Sequence, residues 1–280
     1  MRKITPHIIF LHIPKAGGTT LRNILHSQYA RYDAFIIGED INRDIRRFRS
    51  MSMEENKQIK LLMGHMSHGL HQFFSAPSTY LTLLRDPVER VFSEYRFLSS
   101  NPYHPLYSIV SQLSYHQYLD VDPTRQASNG QTRLLSGNTY GDQVGVPGIE
   151  PLGQLDLTRA LDHLKRYYPL VGLLERFDES LLLWRKLLNW YYPLYEKKNI
   201  TQRRLKLLDK SEIEHTKEKN QFDMTLYQQA ASYLEANLKQ QPHSFHQQLA
   251  VFKFLNNAYQ KTKRYGRAVK QKIIVRRQTQ

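Results

Sequence analysis

Ile8-Ile-Phe-Leu-His-Ile-Pro-Lys-Ala-Gly-Gly-Thr-Thr-Leu21 is the stretch that decides the fold. Its apolar run reads as a buried strand, Lys15, Gly17 and Gly18 as a turn, and Thr19 and Thr20 as the hydroxyl-bearing start of a helix. A parallel α/β sheet builds an anion cradle in this way. Glycines let backbone N–H groups close on the anion, and the following helix points its positive end at it. A Walker A loop, G-x-x-x-x-G-K-[ST], carries its lysine after the glycines. Here Lys15 precedes them, so the loop suits a phosphorylated ligand other than the usual nucleoside triphosphate.

Downstream, strands and helices alternate. Lys60-Leu-Leu-Met-Gly-His65 reads as a second buried strand and Thr79-Tyr-Leu-Thr-Leu-Leu84 as a third. Asp86 and Pro87 start a helix, as cap and first-turn residue, with Val88, Val91, Phe92, Tyr95 and Leu98 at helical spacing. Residues 19–30, 107–120, 125–136 and 156–168 read as helices, 41–57 as a helix then a loop, and 137–153 as a long glycine-rich loop. Pro169 to Leu174 reads as a short strand and Ser180 to Trp190 as an apolar helix, with Trp184 and Trp190 in the core. Beyond residue 200 the pattern is helical, with Leu226, Tyr227, Ala230, Tyr233, Leu234 and Leu238 as one stripe. The alternation predicts an α/β fold with a central parallel sheet and a helical C-terminal part. Ligands of such sheets bind where strands end. Lys15, His65 and Arg85 each follow a predicted strand, which brings them to one edge.

The 280 residues fit one domain, expected over 1–255, followed by a basic tail over 256–280. The last 25 residues hold eight Lys or Arg and no Asp or Glu, which reads as a solvated tail. Absence of cysteine excludes disulfides, thiolate metal sites and cysteine nucleophiles. No apolar run is long enough to span a membrane, and Met1 to His7 lead directly into the first strand. The expectation is a soluble, cytoplasmic, bacterial protein. The net charge of +15 favours anionic ligands without choosing among them.

A second segment, Leu83-Leu-Arg-Asp-Pro-Val-Glu-Arg-Val-Phe-Ser-Glu-Tyr95, carries chemistry. Arg85 leaves a strand and Ser93 lies two helical turns on. A guanidinium offers a bidentate fork to phosphate and a serine one more donor. Arg85 in a capping network with Asp86 or Glu89 is the competing structural reading. Two anion-binding elements after two strands suit a ligand with two separate phosphate groups.

His12 to Leu21 resembles the 5′-phosphosulfate loop of the carbohydrate sulfotransferases, and Leu84 to Ser93 resembles their 3′-phosphate segment. Gly64-His-Met-Ser67, Asn129-Gly-Gln-Thr-Arg-Leu-Leu-Ser-Gly137 and Val171-Gly-Leu-Leu-Glu-Arg-Phe-Asp-Glu-Ser-Leu181 agree with the same family, in its order, over residues 8 to about 200. Within it the heparan sulfate 2-O-sulfotransferases look most similar. The resemblance implies a three-layer, P-loop-kinase-like fold and 3′-phosphoadenosine 5′-phosphosulfate as donor, with no metal. By carry-over, Lys15, Ala16, Gly17, Gly18, Thr19 and Thr20 hold the 5′-phosphosulfate, and Arg85 and Ser93 the 3′-phosphate. Lys15 also stabilises the leaving phosphate. His65 is the candidate general base for a glycan hydroxyl. The related enzymes carry another histidine two positions earlier, where this chain has Met63, so His68 stands as reserve base. Gln131 and Arg133 lie in the stretch resembling the acceptor side. Lys197 to Arg204 resembles the loop over the adenosine end. Glu175 to Ser180 reads as a helix cap with Arg176 buried in an ion pair.

The implied function is sulfuryl transfer to a hydroxyl of a glycan or other polar acceptor, possible as a homo-oligomer and without nucleic acid as partner. Two other classes compete. A phosphoryl transferase needs a Gly-Lys-[Ser/Thr] loop end and a strand-end carboxylate for Mg²⁺, and Asp86 is committed to its cap. A nucleic-acid or polyanion binder would use the charge alone, but no recognition motif is apparent.

Overall fold

The computed structural model describes residues 7–141, 143–196 and 208–278, with side chains up to Lys263 in the last stretch. The first strand, β1 (His7–Leu11), is buried at every position, as a parallel strand covered on both faces must be. It leads into α1 (Gly18–Gln28), β2 (Ala34–Ile37), α2 (Ile41–Arg49), α3 (Met53–Gln58) and β3 (Leu61–Gly64). Then come β4 (Ser78–Leu81), β5 (Leu83–Leu84) and α4 (Pro87–Ser100). The sheet order is β2-β3-β1-β4, all parallel, with Leu11 opposite Gly64 and Phe10 opposite Leu81.

The predicted third strand is two. Thr82 breaks it by turning its hydroxyl to the Leu11 carbonyl at 2.9 Å. Beyond the break β5 pairs in parallel with β8 (Gly172–Leu173). Between them run α5 (Tyr107–Val110), α6 (Tyr115–Val121), α7 (Gly130–Leu135), the hairpin β6 (Thr139–Tyr140) and β7 (Gln143–Pro147), and α8 (Gln154–Tyr167). That hairpin occupies what reads in sequence as an open loop. The edge strand β2 was not foreseen, being short and half-exposed. The helix and loop expected over 41–57 are two helices, because Ser52 and Glu55 form a capping box that starts α3 afresh. Ser114 and Gln117 split 107–120 in the same way.

Helix α9 (Phe177–Leu188) begins three residues before Ser180, whose hydroxyl donates to the Arg176 carbonyl at 2.9 Å. Arg176 pairs with Glu179 and Glu235, but its side chain is about one-third exposed rather than buried. The helical end comprises α10 (Lys210–Lys219), α11 (Gln221–Lys239) and α12 (His243–Gln278). The expected tail boundary at 256 falls inside α12. In α11 the stripe is Leu226, Ala230, Leu234 and Leu238, all buried, while Tyr233 is exposed. Both tryptophans are core residues. A smaller apolar cluster around Val91, Leu98, Tyr115 and Tyr118 backs α4. Among the described residues no helix is long and apolar enough to cross a membrane.

Candidate active site

The loop from Ile13 to Gly17 leaves β1 and turns directly into α1. Gly17 makes that turn at φ +81°, in the left-handed region where a Cβ is costly. No side chain caps α1, and its first turn holds no acidic residue. The positive end of an 11-residue helix is thus turned to the loop with no protein carboxylate in its first turn.

Lys15, Gly17, Gly18, Thr19, Thr20, His65, Arg85 and Ser93 all line one cavity of about 700 Å³. The three predicted strand exits therefore converge. The Lys15 ammonium lies 4.0 Å from the centre of the Phe97 ring. Arg85 donates to the Lys15 carbonyl at 3.2 Å and to Glu89 at 3.2 Å. Its backbone is clamped by Gln131, which accepts from Arg85 N–H at 3.0 Å and donates to Arg85 C=O at 2.9 Å. Burial lowers the pKa of both Lys15 and Arg85, and each feels Coulombic repulsion, Lys15 from Arg85 and Arg85 from Arg90. Crowded, partly desolvated cations of this kind favour a bound anion.

His65 follows β3. Its Nδ1 lies 2.8 Å from the His12 carbonyl. A carbonyl only accepts, so Nδ1 carries the proton and Nε2 keeps its lone pair. Burial lowers its pKa, partly offset by that hydrogen bond. A neutral imidazole with a fixed tautomer can accept a proton from a hydroxyl.

Not every predicted residue reaches the cavity. Ala16 is fully buried behind the loop. His68 is buried among Tyr80, Tyr168 and His163, stacked on His163 at 4.0 Å. Burial takes its pKa down to about 2. Gln131 is buried under Arg85, and Arg133 spends its guanidinium on the carbonyls of Arg125, Gly148 and Glu150. These three hold the fold around the site and do not line it. Lys197 to Arg204 lies outside the described residues.

The cavity also takes His12, Glu94, Phe97, His104, Tyr195 and Lys253, which sequence reasoning did not single out. Phe97 had a signal, standing one helical turn after Ser93 on the same face of α4. Glu94 is buried beside Arg90 at 3.4 Å, and its charge supports the Lys15 ammonium. Among the described residues no three His, Asp or Glu side chains are grouped so as to hold a metal ion.

A family model described as galactose-3-O-sulfotransferase matches residues 2–249. Among solved structures, the crystal structure of mouse sulfotransferase SULT7A1 complexed with PAP is similar at 12% identity and a TM-score of 0.38. That match covers 78% of this chain and 66% of the mouse chain. Comparison with curated protein sequences finds no match.

Proposed function

Since the chain belongs to the galactose-3-O-sulfotransferase family, a group of carbohydrate sulfotransferases, we propose that it moves a sulfuryl group from 3′-phosphoadenosine 5′-phosphosulfate to a hydroxyl of a glycan. One observation carries this reading: a single cavity brings together the uncapped start of α1, the Lys15 and Arg85 side chains and the neutral imidazole of His65. The donor, when bound, supplies an activated sulfuryl group on a nucleotide leaving group. The residues present fit it. The backbone of Gly17 and Gly18, with Thr19 and Thr20, suits the 5′ end, and Arg85 and Ser93 the 3′-phosphate.

The chemistry then falls to two side chains. His65 accepts the proton of the attacking hydroxyl at Nε2 while Nδ1 stays on the His12 carbonyl. Lys15 meets the negative charge that grows on the leaving phosphate, an interaction stronger in the transition state than in the ground state. Its lowered pKa reflects burial, and poor hydration strengthens its field at short range.

Incubation with radiolabelled donor and a panel of galactose-terminated oligosaccharides, polysaccharides and glycolipids tests the reading. Label should pass to a hydroxyl acceptor, and Lys15→Ala should abolish the transfer. Phosphate transfer from ATP–Mg²⁺ in place of sulfuryl transfer would overturn it.

A further inference from the structure

We infer that His12 is a positioning residue for His65, and that position 18 is glycine because the His12 ring fills the space a side chain would need. The inference rests on reading His65 as the base. Its ground is a stack of three rings. Phe10 on β1 and His12, the residue just past the strand's end, are two apart and stack, with ring centroids 5.4 Å apart and planes 15° from parallel. His12 lies on His65 with centroids 4.3 Å apart and planes at 27°. Register produces the second contact: Leu11 pairs with Gly64, and His12 N–H donates to the Gly64 carbonyl at 3.0 Å, so residues 12 and 65 leave adjacent parallel strands side by side. His12 thus holds His65 twice, by its carbonyl on Nδ1 and by its ring on the imidazole face.

Gly18 closes the other side. A Cβ there would stand 1.9 Å from His12 Cδ2 and 2.1 Å from Nε2. Gly17 needs to be glycine for its backbone angle, but Gly18 is the first residue of α1 and has no positive φ. Its residue type is therefore set by space. The charged groups acting on this stack are Arg22 from α1, which faces both imidazoles, and Lys15 from the loop, which faces His12. Burial is the larger cause of the lowered His65 pKa and Arg22 adds to it, while the His12 ring and carbonyl hold the imidazole in one orientation.

Four proteins test this: wild type, Gly18→Ala, His12→Ala and the double variant. Binding of adenosine 3′,5′-bisphosphate is read by isothermal titration, and the His65 imidazole by histidine-selective NMR titration of the full chain. Gly18→Ala should weaken bisphosphate binding about tenfold, and the double variant should return to within about threefold of His12→Ala alone, as expected for residues coupled by direct contact. His12→Ala should keep bisphosphate binding but move the His65 midpoint upward, toward an ordinary imidazole, and His12→Phe should restore it. A double variant as weak as Gly18→Ala would show that the space at residue 18 serves the anion, and an unmoved His65 midpoint would remove the positioning role. If wild type binds no bisphosphate, the donor reading fails, while the NMR comparison still decides whether the His12 ring governs His65.

Discussion

Lys15 is held at φ +64°, a left-handed conformation that costs a non-glycine residue about 1–2 kcal/mol. The strain places its carbonyl under Arg85 and its ammonium over Phe97, with Glu94 near enough to support the charge. Residues 15 and 85 were readable because each ends an apolar run in a glycine or proline context. His68 was misread as a reserve because nothing local reveals that Tyr168 and His163, about a hundred residues on, bury it. At this scale His65→Asn should lower kcat by about 10²–10⁴-fold, the usual worth of a general base, while bisphosphate affinity stays at the wild-type value. A parallel loss of affinity would make His65 a binding residue instead. Because burial lowers the His65 pKa below 6.5, its neutral form persists to lower pH. The acid limb of kcat/KM should therefore lie below pH 6.5, and a limb above 6.5 would contradict the assignment.

Helix α4 joins the site to the fold. Asp86 caps it by accepting from Glu89 N–H at 3.0 Å, and Pro87 follows at the first position. One face gives Ser93, Glu94 and Phe97 to the cavity, while Arg90 is fully buried, paired with Glu94 and bonded to the Gln126 carbonyl. Arg90→Met would leave the Glu94 carboxylate buried without its partner and should cost about 3–5 kcal/mol in urea unfolding, whereas Arg90→Met with Glu94→Leu should recover much of that loss. A single-variant cost below about 1 kcal/mol, the worth of an exposed pair, would contradict this account of α4. The cap and apolar spacing made α4 legible in sequence, as the unbroken apolar run did for β1. The acceptor-side reading of α7 was not correctable from sequence. Asp223 of α11 accepts from the N–H groups of both Gln131 and Thr132, at 3.0 and 2.7 Å, and so buries the start of that helix. Such long-range caps leave no local signal, and neither does the register that sets His12 beside His65.

Over the whole molecule, burial pulls His12, His65, His68, His71 and His163 below the ordinary imidazole value of 6.5. The unfolded chain takes up protons near pH 6.5 that the folded chain refuses, so stability is full above that pH and falls as pH drops below it. Each refused proton contributes a slope of about 1.4 kcal/mol per pH unit. Glu94, whose carboxyl burial pushes upward, offsets only part of this. Thermal scans should show Tm falling steadily from pH 7 to 5, with a shallower fall in His68→Phe, and a flat Tm would contradict the buried neutral histidines. The net charge of +15 gathers anions broadly, but selectivity for a nucleotide rests on one cavity. Its most direct test is isothermal titration of the full chain with adenosine 3′,5′-bisphosphate in the absence of divalent cations. Saturable binding of one nucleotide per chain, lost in Lys15→Ala and Arg85→Ala and kept in His65→Asn, is the predicted result. No binding by the wild type, or binding of ATP–Mg²⁺ in its place, would contradict it.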